Sequence, residues 1–228
     1  MAEDLASKAS DGKVVVIRAG EEMDLKNREF YAPCTVTLIK AGYEEGEKRG
    51  VQSIVDPGFF SESKNINETL RRKGILPGAM DYIFVTHTHP DHMGNVANFF
   101  GARVYTPDSS FKAQNPSKAN RFNLWVPKGF YDRPGTSFGN RDFSHDINLI
   151  STPGHSGWDM SILYTGENSR IAVVGDLFWS EDDFKYDSEF KELCVNPEMQ
   201  KRSRDFVRED LKPEVIVPGH GPAFAPKY

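Results

Sequence analysis

Apolar residues fall into short runs separated by turn formers, the pattern of a chain built mainly from strands. Val14, Val15, Val16 and Ile17 predict a buried strand within Lys13–Ala19. Cys34–Lys40 predicts a second, and Val51–Val55 a third that stops at the turn signal Asp56-Pro57-Gly58. The charged, glycine-flanked stretch 42–50 between them reads as a hairpin loop. Ile66 and Leu70 have helical spacing and predict a helix over Asn65–Lys73, ended by Gly74. Asp81–Thr86 predicts a strand, Asp91–Phe100 a helix and Gly101–Tyr105 another strand. Further strands are predicted at Asp146–Ser151, Ser161–Tyr164, Ile171–Val174 and Glu214–Val217, with a charged amphipathic helix over Pro197–Leu211. Residues 106–145 are rich in Pro, Gly, Asn and Ser and carry scattered aromatics, including Phe111, Phe122, Trp125, Phe130, Tyr131 and Phe138. That predicts a long irregular stretch of the kind that serves a site. Residues 1–12 are small, polar and charged and read as a flexible start, with 13–228 as a single domain.

Composition narrows the class. With 228 residues, 38% of them hydrophobic, the chain can bury a core without staples. A net charge of −5 argues against strong non-specific binding to nucleic acid or to an anionic membrane. Two cysteines, Cys34 and Cys194, are too few for a disulfide framework. No secretory leader or membrane-length apolar run is legible, so the expected location is the cytosol, with the nucleus also open.

The chemistry concentrates in Thr86-His87-Thr88-His89-Pro90-Asp91-His92, directly after an apolar strand. In extended chain, alternate side chains point the same way, so His87 and His89 can reach one cation together. Asp91 and His92 follow at the mouth of a predicted helix and can face a second. A single histidine is most often an ordinary surface or core residue. The joint placement carries the reading here. Of six histidines, five lie at predicted strand ends beside Gly or Pro: the three above, His155 in Thr152-Pro153-Gly154-His155, and His220 in Pro218-Gly219-His220-Gly221. Asp176 also follows an apolar run. Imidazole and carboxylate suit zinc, and also iron or manganese.

This set, His87-x-His89-x-Asp91-His92 followed by His155, Asp176 and His220, resembles the full ligand set of the metallo-β-lactamase fold hydrolases. The resemblance spans residues 51–221 in the family's order. It implies an α+β, αββα sandwich: two mixed β-sheets flanked by helices, with the metals at one edge. It also implies two divalent metal ions, most simply zinc. His87, His89 and His155 would bind the first, Asp91, His92 and His220 the second, and Asp176 both. Two such ions activate a shared water, and Asp91 would act in catalysis by orienting that water or taking its proton. Asp56 matches the family's early aspartate and would brace the histidine loop; taken alone, it reads as a turn residue.

The segments Cys194–Pro197, Gln200–Arg204 and Val215–Pro222 resemble the metallo-β-lactamase-domain-containing protein 1 group. That resemblance implies a phosphodiesterase acting on RNA as an endoribonuclease. The alternative is a glyoxalase II-like thioesterase or lactonase acting on a small ester or thioester. A non-catalytic metal-binding scaffold is a third class, disfavoured because no ligand has been lost. Ser156 and Ser161 have no acid–base neighbour in sequence and read as ordinary hydroxyls. Cys194 reads as an ordinary apolar residue. Lys201, Arg202, Arg204 and Arg208 alternate with acids and read as a solvated helix face, with phosphate contacts as the other option. Trp125, Phe130 and Tyr131 offer stacking rings, a core role or a homodimer contact.

Overall fold

The computed structural model describes residues 4–21, 32–42, 50–113, 129–139, 144–187 and 193–228. Among the described residues, eleven strands form two sheets. The first holds, in spatial order, β1 (Val14–Arg18), β2 (Val36–Ala41), β3 (Val51–Val55), β4 (Tyr82–Phe84), β5 (Arg103–Tyr105) and β6 (Ser110–Lys112). The second runs β11 (Val215–Pro218), β10 (Arg170–Gly175), β9 (Met160–Thr165), β8 (Ile147–Ser151) and β7 (Ser137–Gly139). Both are mixed: β3–β4–β5 and β10–β11 pair in parallel and the rest antiparallel.

Strand period explains why the runs are continuously apolar. Adjacent residues face opposite sides of a sheet, and here both sides are covered. Ile39, Val55 and Phe84 point inward against Leu149, Ile162, Val173 and Val217 of the other sheet. Their neighbours Leu38, Ile54 and Ile83 point outward, where Ile66 and Leu70 of helix α2 (Ser63–Arg72) cover them. On the far side, Ala172, Val174 and Ile216 are covered by Phe184 of α4 (Glu181–Tyr186) and by Val207 and Leu211. Those last two lie on the π-helical turn that extends α5 (Pro197–Phe206). The result is the expected αββα sandwich. No helix among the described residues is long and apolar enough to cross a membrane.

Several expectations are corrected. Residues 4–12 are not a loose start: Asp4 caps helix α1 (Leu5–Ala9) through Ser7 N–H, and Ala6 is buried in the inter-sheet core. The helix expected over Asp91–Phe100 is broken into α3 (Pro90–Met93) and a 3-10 turn over Val96–Asn98. The Asn95 N–H donates to Gly58 O at 2.8 Å, a bond to another loop that interrupts the helical ladder. The stretch 106–145 contains the edge strands β6 and β7. Phe130 is buried in the core and Tyr131 donates to Pro107 O at 2.7 Å, so both serve packing. Trp125 and Phe122 lie outside the described residues, as does most of the stretch 42–50.

Candidate metal centre

The two sheets are hydrogen-bonded to each other along one edge, and the predicted site residues collect there. Thr35, entering β2, donates from its N–H to Gly219 O and from its hydroxyl to Gly221 O. Met160 N–H donates to Thr86 O across the same seam. Gly175 approaches so near that a Cβ there would lie 2.3 Å from Thr86 Oγ1. Its φ of 53° also favours glycine. These contacts bring the ends of β3, β4, β8, β10 and β11 onto one rim.

All seven expected donors converge on it. His87, His89, His155 and Asp176 form one group, and Asp91, His92 and His220 a second, with ligand atoms within 4.8 Å of one another in each. His89 Nδ1 lies 2.9 Å from His87 Nε2 and 3.2 Å from His155 Nε2. Tetrahedral zinc with bonds near 2.05 Å would separate its nitrogens by about 3.3 Å, so the spacing fits. Asp176 faces both groups. Its Oδ2 is 3.4 Å from His155 Nε2, and its Oδ1 is 3.1 Å from His92 Nε2 and 3.4 Å from His220 Nε2. His92 Nε2, His220 Nε2 and Asp176 Oδ1 are all buried without a hydrogen-bond partner among the described residues. Three converging orphaned polar atoms are costly in a protein interior unless something binds them. The donor set therefore fits two divalent ions.

Outer contacts set each ring's orientation. Asp56 accepts from Thr86 N–H and Thr86 Oγ1, each at 2.7 Å, and from His92 Nδ1 at 2.9 Å. That leaves His92 Nε2 directed into the cage. Asp56 adopts φ 50°, which Asp tolerates better than most residues. His220 Nδ1 is tied in the same way to Glu21 O at 3.1 Å. A neutral imidazole whose Nδ1 is engaged as donor offers Nε2 as ligand. Burial and repulsion from His92 hold His87 well below the usual imidazole value. Burial raises the Asp176 carboxyl, but His92, His220, His155 and His87 outweigh it and hold the group well below the usual carboxylate range.

Residues that pattern reading missed also hold the site. Asp159 accepts from Gly154 N–H and Ser156 N–H and fixes the turn that carries His155. Ser156 is spent on Asp159, and Ser161 pairs with Thr152, so both hydroxyls are structural. Cys194 is half-buried, and Cys34 is buried beside Asp56. Arg204 and Arg208 do not form a solvated face. Arg204 is fully buried and pairs with Asp183 and Asp187, and Arg208 pairs with Asp187 while its guanidinium lies over Phe184. No motif in the sequence marks these pairs. A hint existed in the i, i+3, i+4, i+7 spacing of Gln200, Ser203, Arg204 and Val207.

A family model for the metallo-beta-lactamase superfamily matches residues 32–220. The chain belongs to this superfamily. With the intact donor set, it is a metal-dependent hydrolase of that family. Metallo-beta-lactamase domain-containing protein 1 of Xenopus laevis is 29% identical over 216 residues, covering 94% of this chain and 82% of the relative. An N-acyl homoserine lactonase of a Bacillus species is 25% identical over 175 residues, or 75% of this chain and 67% of that one. In structure, Bacillus thuringiensis AiiA with N-decanoyl-L-homoserine bound superposes with a TM-score of 0.60 at 16% identity, covering 92% of each chain. That last likeness is one of fold.

Proposed function

We propose that this superfamily member is a dinuclear hydrolase that cleaves a phosphodiester in RNA. The observation carrying the dinuclear reading is the pair of donor groups sharing Asp176, with buried ligand atoms that nothing in the described chain satisfies. His87, His89 and His155 would hold one ion and Asp91, His92 and His220 the other, with Asp176 on both. Two divalent ions, zinc being the best match to this donor set, supply Lewis acidity and make a bound water acidic near neutral pH.

The chain's own residues define the rest. Asp91 is half-buried at the open side, with Oδ2 3.1 Å from His92 Nε2 and 3.5 Å from His220 Nε2. There its carboxylate orients the attacking water and accepts its proton. His89 is exposed, so the cage opens at Thr88-His89-Pro90. Two large exposed rings lie on turns next to the donor loops. Trp158 is 60% exposed on the turn that carries His155. Phe60 is 72% exposed, on a turn packed against Gly94 beyond His92. Exposed rings beside a cationic cage suit stacking of unpaired bases. Similarity to the protein 1 relatives runs over nearly the whole chain, and the resemblance to that group is what implies RNA.

A second reading, hydrolysis of a small lactone or thioester, is favoured by a separate observation. Among the described residues, several cations are spent on acids of the chain: Arg18 on Glu62, Arg204 and Arg208 on Asp187, and Lys201 on Asp205. One assay separates the two. Protein of measured metal content is offered single-stranded RNA, an N-acyl homoserine lactone and S-lactoylglutathione. RNA cleavage alone supports the proposal, turnover of the acyl substrates alone selects the second reading, and no turnover of any of them removes both. Asp91→Ala should abolish whichever activity appears and weaken binding of the ion held with His92 and His220, while the fold persists.

A further inference from the structure

Helix α5 meets the donor loops with a polar face. Gln200, Ser203, Arg204 and Val207 form one stripe, and all four are buried. An apolar stripe would cover a sheet at lower cost, since buried polar groups must be matched by hydrogen bonds. Arg204 is matched by Asp183 and Asp187, while the bonds of Gln200 and Ser203 run to the donor loops. Gln200 Nε2 donates to Asp176 O at 3.1 Å, and Gln200 Oε1 is buried without a partner among the described residues. Ser203 Oγ donates to Pro153 O at 2.7 Å. Just ahead of the helix, Val195 N–H donates to His155 O and Asn196 N–H to Gly154 O, both at 2.9 Å. Helix and loop touch so closely that a Cβ on Gly154 would lie 2.3 Å from Gln200 N.

We propose that α5 sets the spacing of the two donor groups, with Gln200 as the positioning residue for Asp176 and Ser203 as the positioning residue for the His155 loop. This rests on the dinuclear reading above and assigns the residues that hold its geometry. The two positions act differently. Asp176 faces both groups, so displacing it loosens both ions. Ser203 touches only the loop of His155, which stands in one group, so its loss loosens one ion.

The test is cobalt(II) and zinc(II) binding to the full chain, with stoichiometry and affinity measured by chelator competition. The cobalt absorption spectrum reports ligand geometry, and near-UV circular dichroism reports the folded fraction. The variants are Gln200→Leu, Gln200→Met, Ser203→Ala and the exposed control Arg202→Ala. Losing an outer partner of a ligand typically weakens metal affinity about 10- to 100-fold. Gln200→Leu should weaken both ions by at least about 10-fold and change the cobalt spectrum. Ser203→Ala should weaken one ion, and Arg202→Ala neither. Gln200→Met keeps the length and apolar packing of the side chain, and repeats the test if the leucine variant does not fold. Wild-type affinity in the folded Gln200 variants, or equal weakening of both ions by Ser203→Ala, overturns the proposal. If the wild-type protein binds no ion, the dinuclear reading itself fails, an outcome distinct from either.

Discussion

Asp56 is the most informative single position outside the donor set. Replacing it with alanine removes the acceptor of two buried donors, Thr86 N–H and His92 Nδ1–H. The Thr86 hydroxyl is less affected, because His87 Nδ1 lies 3.2 Å away. Each buried donor left unsatisfied costs about 1–3 kcal/mol. Alanine at φ 50° adds about 1 kcal/mol of backbone strain. Relief of the carboxylate's desolvation returns part of this, so the expected net loss is about 3–5 kcal/mol. That is a large share of a typical stability of about 5–15 kcal/mol. Asp56→Asn keeps one acceptor oxygen and a side chain suited to the left-handed region, and should cost about 1–2 kcal/mol. Urea unfolding of chelator-treated protein measures this without a contribution from metal. The alanine midpoint should fall by about 1.5–2.5 M, taking a slope near 2 kcal/mol per M. A loss under about 1 kcal/mol for Asp56→Ala would refute the reasoning, because it would mean that Thr86 and His92 do not depend on this carboxylate.

Three further outcomes follow from the same contacts. Arg204→Met strands the buried carboxylate of Asp183 and should cost about 3–5 kcal/mol in a denaturant titration. Gly154→Ala forces a Cβ against the Gln200 backbone at φ 140°, and should cost about 3 kcal/mol and reduce bound metal, measured on the same sample. Asp187 is pulled up by partial burial, but bonds from Arg208 and Arg204 outweigh that and hold it below the usual carboxylate value. Its contribution is therefore full above the unfolded value of about 3.9 and fades as pH falls through the lower folded one. Asp187→Asn should be less stable than wild type at pH 6, with the gap closing in acid, as thermal melts across pH would show.

Much of the fold was legible because both faces of each sheet are covered. Continuous apolar runs such as Val14–Ile17 and Ile171–Val174 mark such strands even in isolation. The donor set was legible because its members sit in short stretches at strand ends, where extended geometry alone aims His87 and His89 together. The remainder depended on contacts distant in sequence. Nothing local says that Asn95 N–H will leave its helix for Gly58, which is why Asp91–Phe100 reads as one helix and is two pieces. Gln200, Ser203 and Arg204 look like surface because they are polar, and only the neighbouring loops turn them into interior residues. Helix α4 escaped notice because Glu181, Asp182 and Asp183 swamp its periodicity, although Ser180 caps it through Asp183 N–H.

On the proposed reading, these seven side chains hold two divalent ions whose presence makes the protein a hydrolase. Elemental analysis paired with turnover tests it most directly, on one folded preparation before chelation, after chelation and after zinc is restored. The expected result is about two equivalents of metal per chain, loss of hydrolysis with the metal, and recovery of both on reloading. Folded protein that takes up no divalent metal, or that hydrolyses its substrate equally well without any, would contradict it.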